Sequence, residues 1–420
     1  LTEMLRPLPG RKTRKGSRAL DVAQNGTQGV PDQASGPGDP CPASALVRRH
    51  AVSAIDTAYI INAAAGMREP NGRIYMLDAD FSPARRPSGD ILPLVLRANA
   101  GECLEIDFTN RSSEPASLYI SGVAVDPLGS LGMTVGYNPD QVAQPGDSRT
   151  YRYYLPDEMG ALLIRDFGNP LLNGAAGLYG ALIVEPAGAT YHDVSSDAPV
   201  TSGVEAVVRM PGGEFFREFV TVFADQDPDI GLFLMPYDAD VDRPATVNYR
   251  AEPLRPRTAL FGVLEDRDFI DPSALDLAIR LYNEDTYGPP ATNVFAVRAG
   301  ERARFRVISG FSEQNQVFSI EGHDWQLTPG LAGSDVVSSR HLISGGTLNV
   351  ELRSVGGPAG RPGDYLWSNH RLPFFKAGQW GLLRVLPRDA PASAFLRDAV
   401  EPSHNLSLAL PRPASLARLR

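Results

Sequence analysis

Gly and Pro residues interrupt this chain at short intervals, and that spacing constrains the fold more than any other feature of the sequence. The 420 residues include 40 Gly and 36 Pro. Many of them separate short runs rich in Val, Leu, Ile and Tyr. Short apolar runs bounded by turn residues are typical of β-strands joined by tight turns. We therefore predict an all-β protein.

Two series of strands are predicted, separated by a stretch rich in Gly, Ser and Ala. The first series is expected at Ala58–Asn62, Ile74–Leu77, Leu94–Ala98, Cys103–Thr109, Ala116–Ser121, Ser148–Leu155, Ala161–Phe167 and Tyr179–Glu185. The second is expected at Phe219–Ala224, Val294–Val297, Ala303–Ile308, Gln316–Ile320, Thr347–Leu352, Gly363–Trp367 and Trp380–Leu386. About eight strands fit one Greek-key sandwich or barrel.

The predicted organisation has two domains of one type. It comprises a basic arm at residues 1–45, a first domain at 46–190, a linker at 191–215, a second domain at 216–387 with an acidic insertion at 225–290, and a C-terminal extension at 388–420. Part of the extension, Ala392–Val400, is predicted to be helical. The segments Leu94–Asn110 and Phe295–Ser309 both read as strand, Gly turn and strand. Such a repeat indicates duplication of one domain.

Charge and cysteine content exclude some classes of function and leave the compartment open. The net charge of -9 argues against a nucleic-acid binder. No run of about 18 apolar residues is present, so no membrane span is expected. Cys41 and Cys103 are either two free thiols or a disulfide. A disulfide would favour an exported or extracellular protein.

One segment near the C-terminus carries a metal-site pattern without most of its metal ligands. Residues 363–381 read Gly-Asp-Tyr-Leu-Trp-Ser-Asn-His-Arg-Leu-Pro-Phe-Phe-Lys-Ala-Gly-Gln-Trp-Gly. This resembles the last copper motif of the multicopper oxidases, in which Gly-x-x-x-x-His-Cys-His is followed by a further His and then by Met after a Gly. Further family marks are the Gly101 turn, Pro145-Gly146-Asp147, Gly177-Leu178-Tyr179-Gly180 and Gly322-His323.

The similarity to a two-domain member of the cupredoxin and multicopper oxidase superfamily covers roughly residues 50–190 and 215–387. It implies two cupredoxin-like Greek-key β-barrel or sandwich domains. It also implies a blue-copper site built from two His, a Cys and a weak axial ligand. A trinuclear copper cluster held by four paired-His motifs is implied as well, since residues i and i+2 of a strand share one face.

Carried over residue by residue, the eight trinuclear positions hold a single imidazole. They fall on Tyr119, Ser121, Arg165, Phe167, Ser319, Glu321, Ser368 and His370. The four blue-copper positions fall on Gln316, Asn369, Phe374 and Gln379. Because thiolate and imidazole donors hold and tune copper in such centres, we predict that both sites are lost. No cofactor is then expected, and copper is the alternative.

Two residues at the vacated trinuclear positions carry opposite charges. A buried guanidinium needs a carboxylate partner, so Arg165, Glu321 and His370 are expected to form a metal-free polar network at a domain or subunit junction. In the alternative, His370 and Glu321 bind a single metal ion. The charge of Arg165 beside them argues against a cation.

Three functions remain open, and the missing ligands favour the first. It is a non-catalytic, copper-free binding or assembly module. The second is a copper-dependent oxidoreductase with unusual ligands that acts on phenols or metal ions. The third is a ligand-binding or biosynthetic enzyme that reuses the vacated cavity for a small molecule. The resemblance also implies a homotrimer or a hetero-complex, because two-domain members often complete their cluster between subunits.

Overall fold

The computed structural model describes residues 38–81, 91–225, 245–254, 257, 280–312 and 314–395. The strands, in chain order, are β1 Val47–Asp56, β2 Tyr59–Asn62, β3 Met67–Glu69, β4 Arg73–Leu77, β5 Leu94–Asn99, β6 Cys103–Asn110, β7 Tyr119–Ile120, β8 Ala124–Val125, β9 Ser148–Tyr154, β10 Gly160–Arg165, β11 Tyr179–Glu185, β12 Thr190–His192, β13 Glu205–Arg209, β14 Phe215–Asp225, β15 Ala245–Val247, β16 Val294–Arg298, β17 Ala303–Phe311, β18 Gln316–Ile320, β19 Trp325–Gln326, β20 Val336–Val337, β21 Ser339–Leu342, β22 Thr347–Leu352, β23 Gly363–Asn369 and β24 Trp380–Leu386. The helices are α1 Pro170–Ala176, α2 Glu284–Tyr287 and α3 Leu372–Ala377, with 3-10 turns at Asp78–Asp80 and Ala392–Phe395.

Four sheets form two sandwiches, as the all-β prediction requires. The first sandwich pairs the sheet β4-β1-β6-β9-β8 with the sheet β5-β11-β10-β7. The second pairs β12-β13-β14-β17-β22, with β15 added on β14, and β16-β24-β23-β18-β21. Each sandwich encloses its own apolar core, because alternate residues of each strand point inward.

Three segments differ from the sequence expectation or fall partly outside the described residues. The stretch 191–215 is not a bare linker, since it contains β13 and the end of β12, both in a sheet of the second sandwich. The insertion is described only in part, with residues 226–244, 255–256 and 258–279 outside. In the C-terminal extension, the 3-10 turn Ala392–Phe395 occupies the start of the expected helix, and residues 396–420 lie outside the description.

The two sandwiches repeat one local design. Gly101 joins β5 to β6 at φ 84°, and Gly300 joins β16 to β17 at φ 82°. This region of φ favours glycine over residues with a Cβ. In both halves the last strand pairs in parallel with the strand before that turn, β11 with β5 and β24 with β16. The helices α1 and α3 likewise both end at a left-handed glycine, Gly177 or Gly378.

A disulfide ties the start of the described chain to the first sandwich. Cys41 and Cys103 are bonded, with 5.6 Å between their Cα atoms. The sequence left open whether these cysteines are free thiols or bonded, and the structure shows the bond. Cys41 lies before β1, and β1 runs parallel to β6, the strand that begins at Cys103. No helix within the described ranges is long and apolar enough to cross a bilayer.

The sandwiches are joined face to face through a shared apolar layer. One face of β5, β10 and β11 contributes Val95, Leu163 and Ile183, and β14 and β17 contribute Val220 and Ile308 from the other side. All are at most 1% exposed. The junction is therefore as dry as a domain core, and any polar group within it needs an internal partner.

Charged residues nevertheless occupy this junction, and they pair across it. Arg97 on β5 and Arg306 on β17 both bind the carboxylate of Glu218 on β14. Arg306 also binds Glu185 at the end of β11, and Arg304 reaches the same carboxylate at 2.7 Å. Arg97, Glu185 and Glu218 are 0% exposed and Arg306 is 2% exposed. These four buried ionisable side chains thus form one network that links the two sandwiches.

The network sets the ionisation of its central carboxylate. Burial alone raises the pKa of Glu218, but the guanidinium groups of Arg97 and Arg306 outweigh burial and lower it to about 2. The pKa of Glu185 moves the other way, because desolvation exceeds the attraction of its arginines. Glu218 is therefore the carboxylate that stays charged and anchors both arginines.

Replacing Glu218 by Gln should destabilise the fold by about 3–5 kcal/mol at neutral pH, because it leaves buried guanidinium groups without their carboxylate. Urea unfolding of wild type and E218Q measures the difference. The folded pKa lies below the ordinary value of 4.5, so the contribution is complete above that pH and is lost as pH falls toward about 2. The gap between the two proteins should narrow over that interval. The control E214Q removes an exposed carboxylate paired with Arg302 and should cost less than about 1 kcal/mol. A pH-independent gap would contradict the assignment.

Candidate functional site

The four blue-copper positions lie together at one end of the second sandwich. Gln316 begins β18, Asn369 ends β23, and Phe374 and Gln379 flank the end of α3. The Asn369 side-chain amide donates to the carbonyl oxygens of both Gln316 and Gln379, the latter at 2.7 Å. The three amide side chains are 0% exposed. They form one buried cluster, which we call the amide cluster.

Every side of the amide cluster is hydrogen-bonded. Gln379 Nε2 donates to the backbone carbonyls of Ala224 and Thr246, both at 3.1 Å. Gln316 Nε2 donates to Ser312 Oγ at 2.9 Å. Asn369 Oδ1 accepts from the backbone N–H of Val317 at 3.0 Å and of Arg371 at 3.1 Å. The cluster thereby holds β14, β15, β18 and β23 together as a structural polar core.

The donor set of the amide cluster does not fit copper. A blue-copper centre needs a thiolate and imidazoles, whereas these positions supply three amides and the phenyl ring of Phe374, which is 3% exposed. The amide oxygens and nitrogens are already engaged with each other and with backbone groups. No step of copper chemistry can be derived for this site.

The first-sandwich residues at trinuclear positions form an arginine–aromatic group. Tyr119 and Phe167 pack edge to face with ring centroids 5.3 Å apart. The guanidinium carbon of Arg165 lies 4.7 Å from the Phe167 ring centroid and 5.8 Å from that of Tyr119. Arg165 Nε and the hydroxyl of Ser121 are buried and have no hydrogen-bond partner. We call these four residues the first half-site.

The second-sandwich residues at trinuclear positions form a different group, the second half-site. Ser319 and Ser368 face each other across β18 and β23 with their hydroxyls 3.5 Å apart. Glu321 Oε1 and His370 Nε2 are 2.9 Å apart, on side chains that are 55% and 48% exposed. Solvent screening makes an exposed pair of this kind a weak source of stability.

The expected three-residue network is therefore only half formed within one chain. Glu321 and His370 pair, but Arg165 makes no ion pair with any described residue, and its nearest contacts in the same chain are aromatic rings. No group of three or more His, Cys, Asp or Glu side chains within the described part of the chain could hold a metal ion. A single-ion site on His370 and Glu321 has no third side-chain ligand of these types there.

His323, which belongs to the family mark Gly322-His323, has a structural role. Its Nε2 accepts from the backbone N–H of Gly356 at 3.0 Å, and its Nδ1 lies 3.1 Å from the carbonyl oxygen of Glu321. This pattern assigns the proton to Nδ1, and burial lowers the pKa of the ring. A neutral imidazole bonded on both nitrogens is not available as a ligand.

Replacing Asn369 by Leu should destabilise the protein by about 2–4 kcal/mol, because the acceptors of Gln316 and Gln379 and two backbone N–H groups lose their partner. Chemical unfolding monitored by tryptophan fluorescence measures this change. The same substitution at Asn315, an exposed residue beside the start of β18, is the matched control and should stay within about 0.5 kcal/mol. Equal effects at both positions would show that the amide cluster is not a unit.

Comparison with known proteins connects this fold to copper proteins. A family model described as multicopper oxidase matches residues 87–189, within the first sandwich. No curated protein matches the chain.

Three solved structures align over most of the chain. A multicopper oxidase shares 21% identity at TM-score 0.52, over 83% of this chain and 94% of that one. A blue copper oxidase from Nitrosomonas europaea shares 14% identity at TM-score 0.53, over 81% and 86%. A copper nitrite reductase from the same organism shares 15% identity at TM-score 0.52, over 83% and 97%. At these identities the likeness shows the fold alone. The chain therefore has a cupredoxin-like all-β fold, and its residues 87–189 are similar to the multicopper oxidase family.

Proposed function

We propose that this chain is a copper-free relative of the multicopper oxidases that acts as a non-catalytic binding or assembly module. The amide cluster is the main observation in support of this proposal. Its three residues stand at three of the four blue-copper positions and use their polar groups on one another and on the backbone. The fourth position holds the phenyl ring of Phe374. A set of side chains that is satisfied in this way supports the fold without a metal.

The chemistry of the half-sites supports the same function. Of the eight trinuclear positions, only His370 carries an imidazole, and it is paired with Glu321. Two aromatic rings, three serines, one guanidinium and the carboxylate of Glu321 occupy the other seven positions. Copper-dependent electron transfer requires donors that these residues do not supply, so a copper oxidoreductase is the weaker alternative.

Exposed apolar side chains beside both half-sites support an assembly role. Leu171 and Leu172 on α1, next to the first half-site, are 68% and 60% exposed. Leu372 on α3, next to the second half-site, is 63% exposed, and Ile343 is 60% exposed. Exposed apolar residues near uncompensated polar groups are features of protein interfaces.

The assembly that fits these features is head to tail between identical chains. The first half-site of one copy offers Arg165 without a carboxylate, and the second half-site offers Glu321 at the surface. Two different patches that bind each other form a heterologous interface, which gives a ring where the rotation between copies closes and an open filament where it does not. In this arrangement Arg165 of one copy pairs with the Glu321–His370 group of the next.

Metal content is the direct test of the copper-free proposal. Protein expressed with ample copper, and then freed of loosely bound ions, should contain less than about 0.1 Cu, Fe, Mn or Zn per chain by elemental mass spectrometry, since the ligand set is missing. A content near one copper per chain would overturn the proposal.

A variant with restored ligands serves as the positive control for this measurement. Gln316→His, Asn369→Cys and Phe374→His together place two imidazoles and a thiolate at the blue-copper positions, and Gln379 is retained as the weak axial group. This triple variant should bind copper and absorb visible light. Its success would show that the residues, not the fold, exclude the metal.

Exchanging the charges of Arg165 and Glu321 tests the proposed head-to-tail assembly. Native mass spectrometry of wild type should detect an oligomer, and Arg165→Glu or Glu321→Arg alone should lower its affinity at least about tenfold by bringing like charges together. The double variant should recover most of the loss, because the pair is reversed. His192, which is paired with Asp197 away from the half-sites, provides the control H192A. A wild-type chain that stays monomeric would contradict the proposed head-to-tail assembly and favour a ligand-binding role.

A further inference from the structure

A second candidate site lies at the other end of β14 from the amide cluster. Arg217 stands near the start of this strand, and Ala224, whose carbonyl binds Gln379, stands near its end. Seven residues of strand separate them by about 23 Å. Whatever occurs around Arg217 is therefore independent of the vacated copper positions and of the function proposed above.

An aromatic ring from the C-terminal turn covers Arg217. The Phe395 ring centroid lies 3.8 Å from the guanidinium carbon of Arg217 and 4.7 Å from that of Arg298. Arg298 also holds the preceding segment by donating from Nε to the carbonyl of Ala390 at 2.9 Å. The ring thus occupies a place between two cations, where the faces of aromatic rings are favoured.

The charge beneath the ring is incompletely satisfied. Arg217 is 4% exposed, and its Nε donates to Glu301 at 2.9 Å. Arg298 shares the same carboxylate at 3.3 Å. Glu205 attracts Arg217 through space, but Arg217 Nη1 is buried and has no hydrogen-bond acceptor. A buried donor without an acceptor is costly, so the site lacks one oxygen ligand.

Phe395 also forms part of the walls of two cavities. One has a volume of about 600 Å³ and is lined by Arg217, Arg298 and the apolar side chains of Val207 and Met210. The other has a volume of about 860 Å³ and lies on the side of β16. Both volumes are within the usual range of small-molecule sites.

The other charges that line the smaller cavity have partners of their own. Arg209 binds Asp197 with both carboxylate oxygens at 2.7 Å. Asp193 accepts four hydrogen bonds from the backbone and hydroxyl groups of Ser195 and Ser196. Arg217, which also lines this cavity, retains the buried Nη1 without an acceptor.

We propose that this is a binding site for a small aromatic carboxylate. In the structure, the ring of Phe395 fills the position that the ring of the ligand would take. The ligand's ring replaces Phe395 against the guanidinium of Arg217. Its carboxylate, carried on a short flexible chain, reaches the edge of the same guanidinium and supplies the acceptor that Nη1 lacks. A neutral ring would leave Nη1 unpaired, and a simple inorganic anion would lose the stacking contact.

The test measures 3-phenylpropionate binding to the full chain by isothermal titration calorimetry, comparing wild type with Phe395→Ala. Removing the tethered ring should tighten binding at least about tenfold. Phe395 also packs against Ala296 and Leu386, so thermal unfolding is measured in parallel. If F395A does not fold, Phe395→Leu keeps apolar bulk while weakening the stack, and it should tighten binding at least about threefold. Binding no tighter than wild type in the folded variant would overturn the proposal.

Variants in the F395A background separate the two halves of the recognition. Arg217→Lys keeps the charge but loses the planar fork, and should weaken 3-phenylpropionate binding at least about tenfold. Arg209→Gln, at the rim of the same cavity, should change it less than about threefold. 3-Phenylpropionamide and 3-cyclohexylpropionate should both bind at least about tenfold more weakly than 3-phenylpropionate. Unchanged binding in R217K, or equal binding of either analogue, would overturn the assignment.

Discussion

Two arginines and two glutamates enclosed between the sandwiches are the interaction on which the rest of the structure depends. Arg97 and Glu185 belong to the first sandwich, and Glu218 and Arg306 to the second. Arg97, Arg306 and Glu218 would each lose their hydration without compensation in an apolar layer if they were not paired. The sheets can therefore pack only in the register that matches the charges, and the two domains behave as one unit.

This fixed packing bears on the vacated copper positions. The first half-site is at the end of β10 and the second at the ends of β18 and β23, and within one chain no described contact joins Arg165 to Glu321. The charged side chains of the two half-sites therefore have different kinds of neighbour. Aromatic rings cover the guanidinium in the first, and an exposed histidine–glutamate pair forms in the second. Self-association through the two half-sites would join them.

The amide cluster joins the ends of several strands at the positions where the family resemblance places blue-copper ligands. A copper ion would join the ends of several strands through coordinate bonds, and here Asn369 joins them through hydrogen bonds to Gln316 and Gln379. Such a network stabilises only when every member is satisfied. The sequence alone placed these amides at equivalent positions by resemblance. It could not show that their donors and acceptors match, since that depends on side-chain directions across three elements.

What the sequence by itself determined is local. The alternation of apolar residues specifies the strands, because successive side chains of a strand point to opposite faces. Gly101 and Gly300 specify two of the turns, because glycine adopts the positive φ values that these turns require. The tertiary structure alone decided which distant groups meet. The Arg97–Glu218 pair spans 121 residues, and Phe395 reaches Arg217 across 178. The sequence does not identify the ion-pair partner of a charged residue in a strand. The cost of its desolvation is compensated only by groups that approach when the sheets pack.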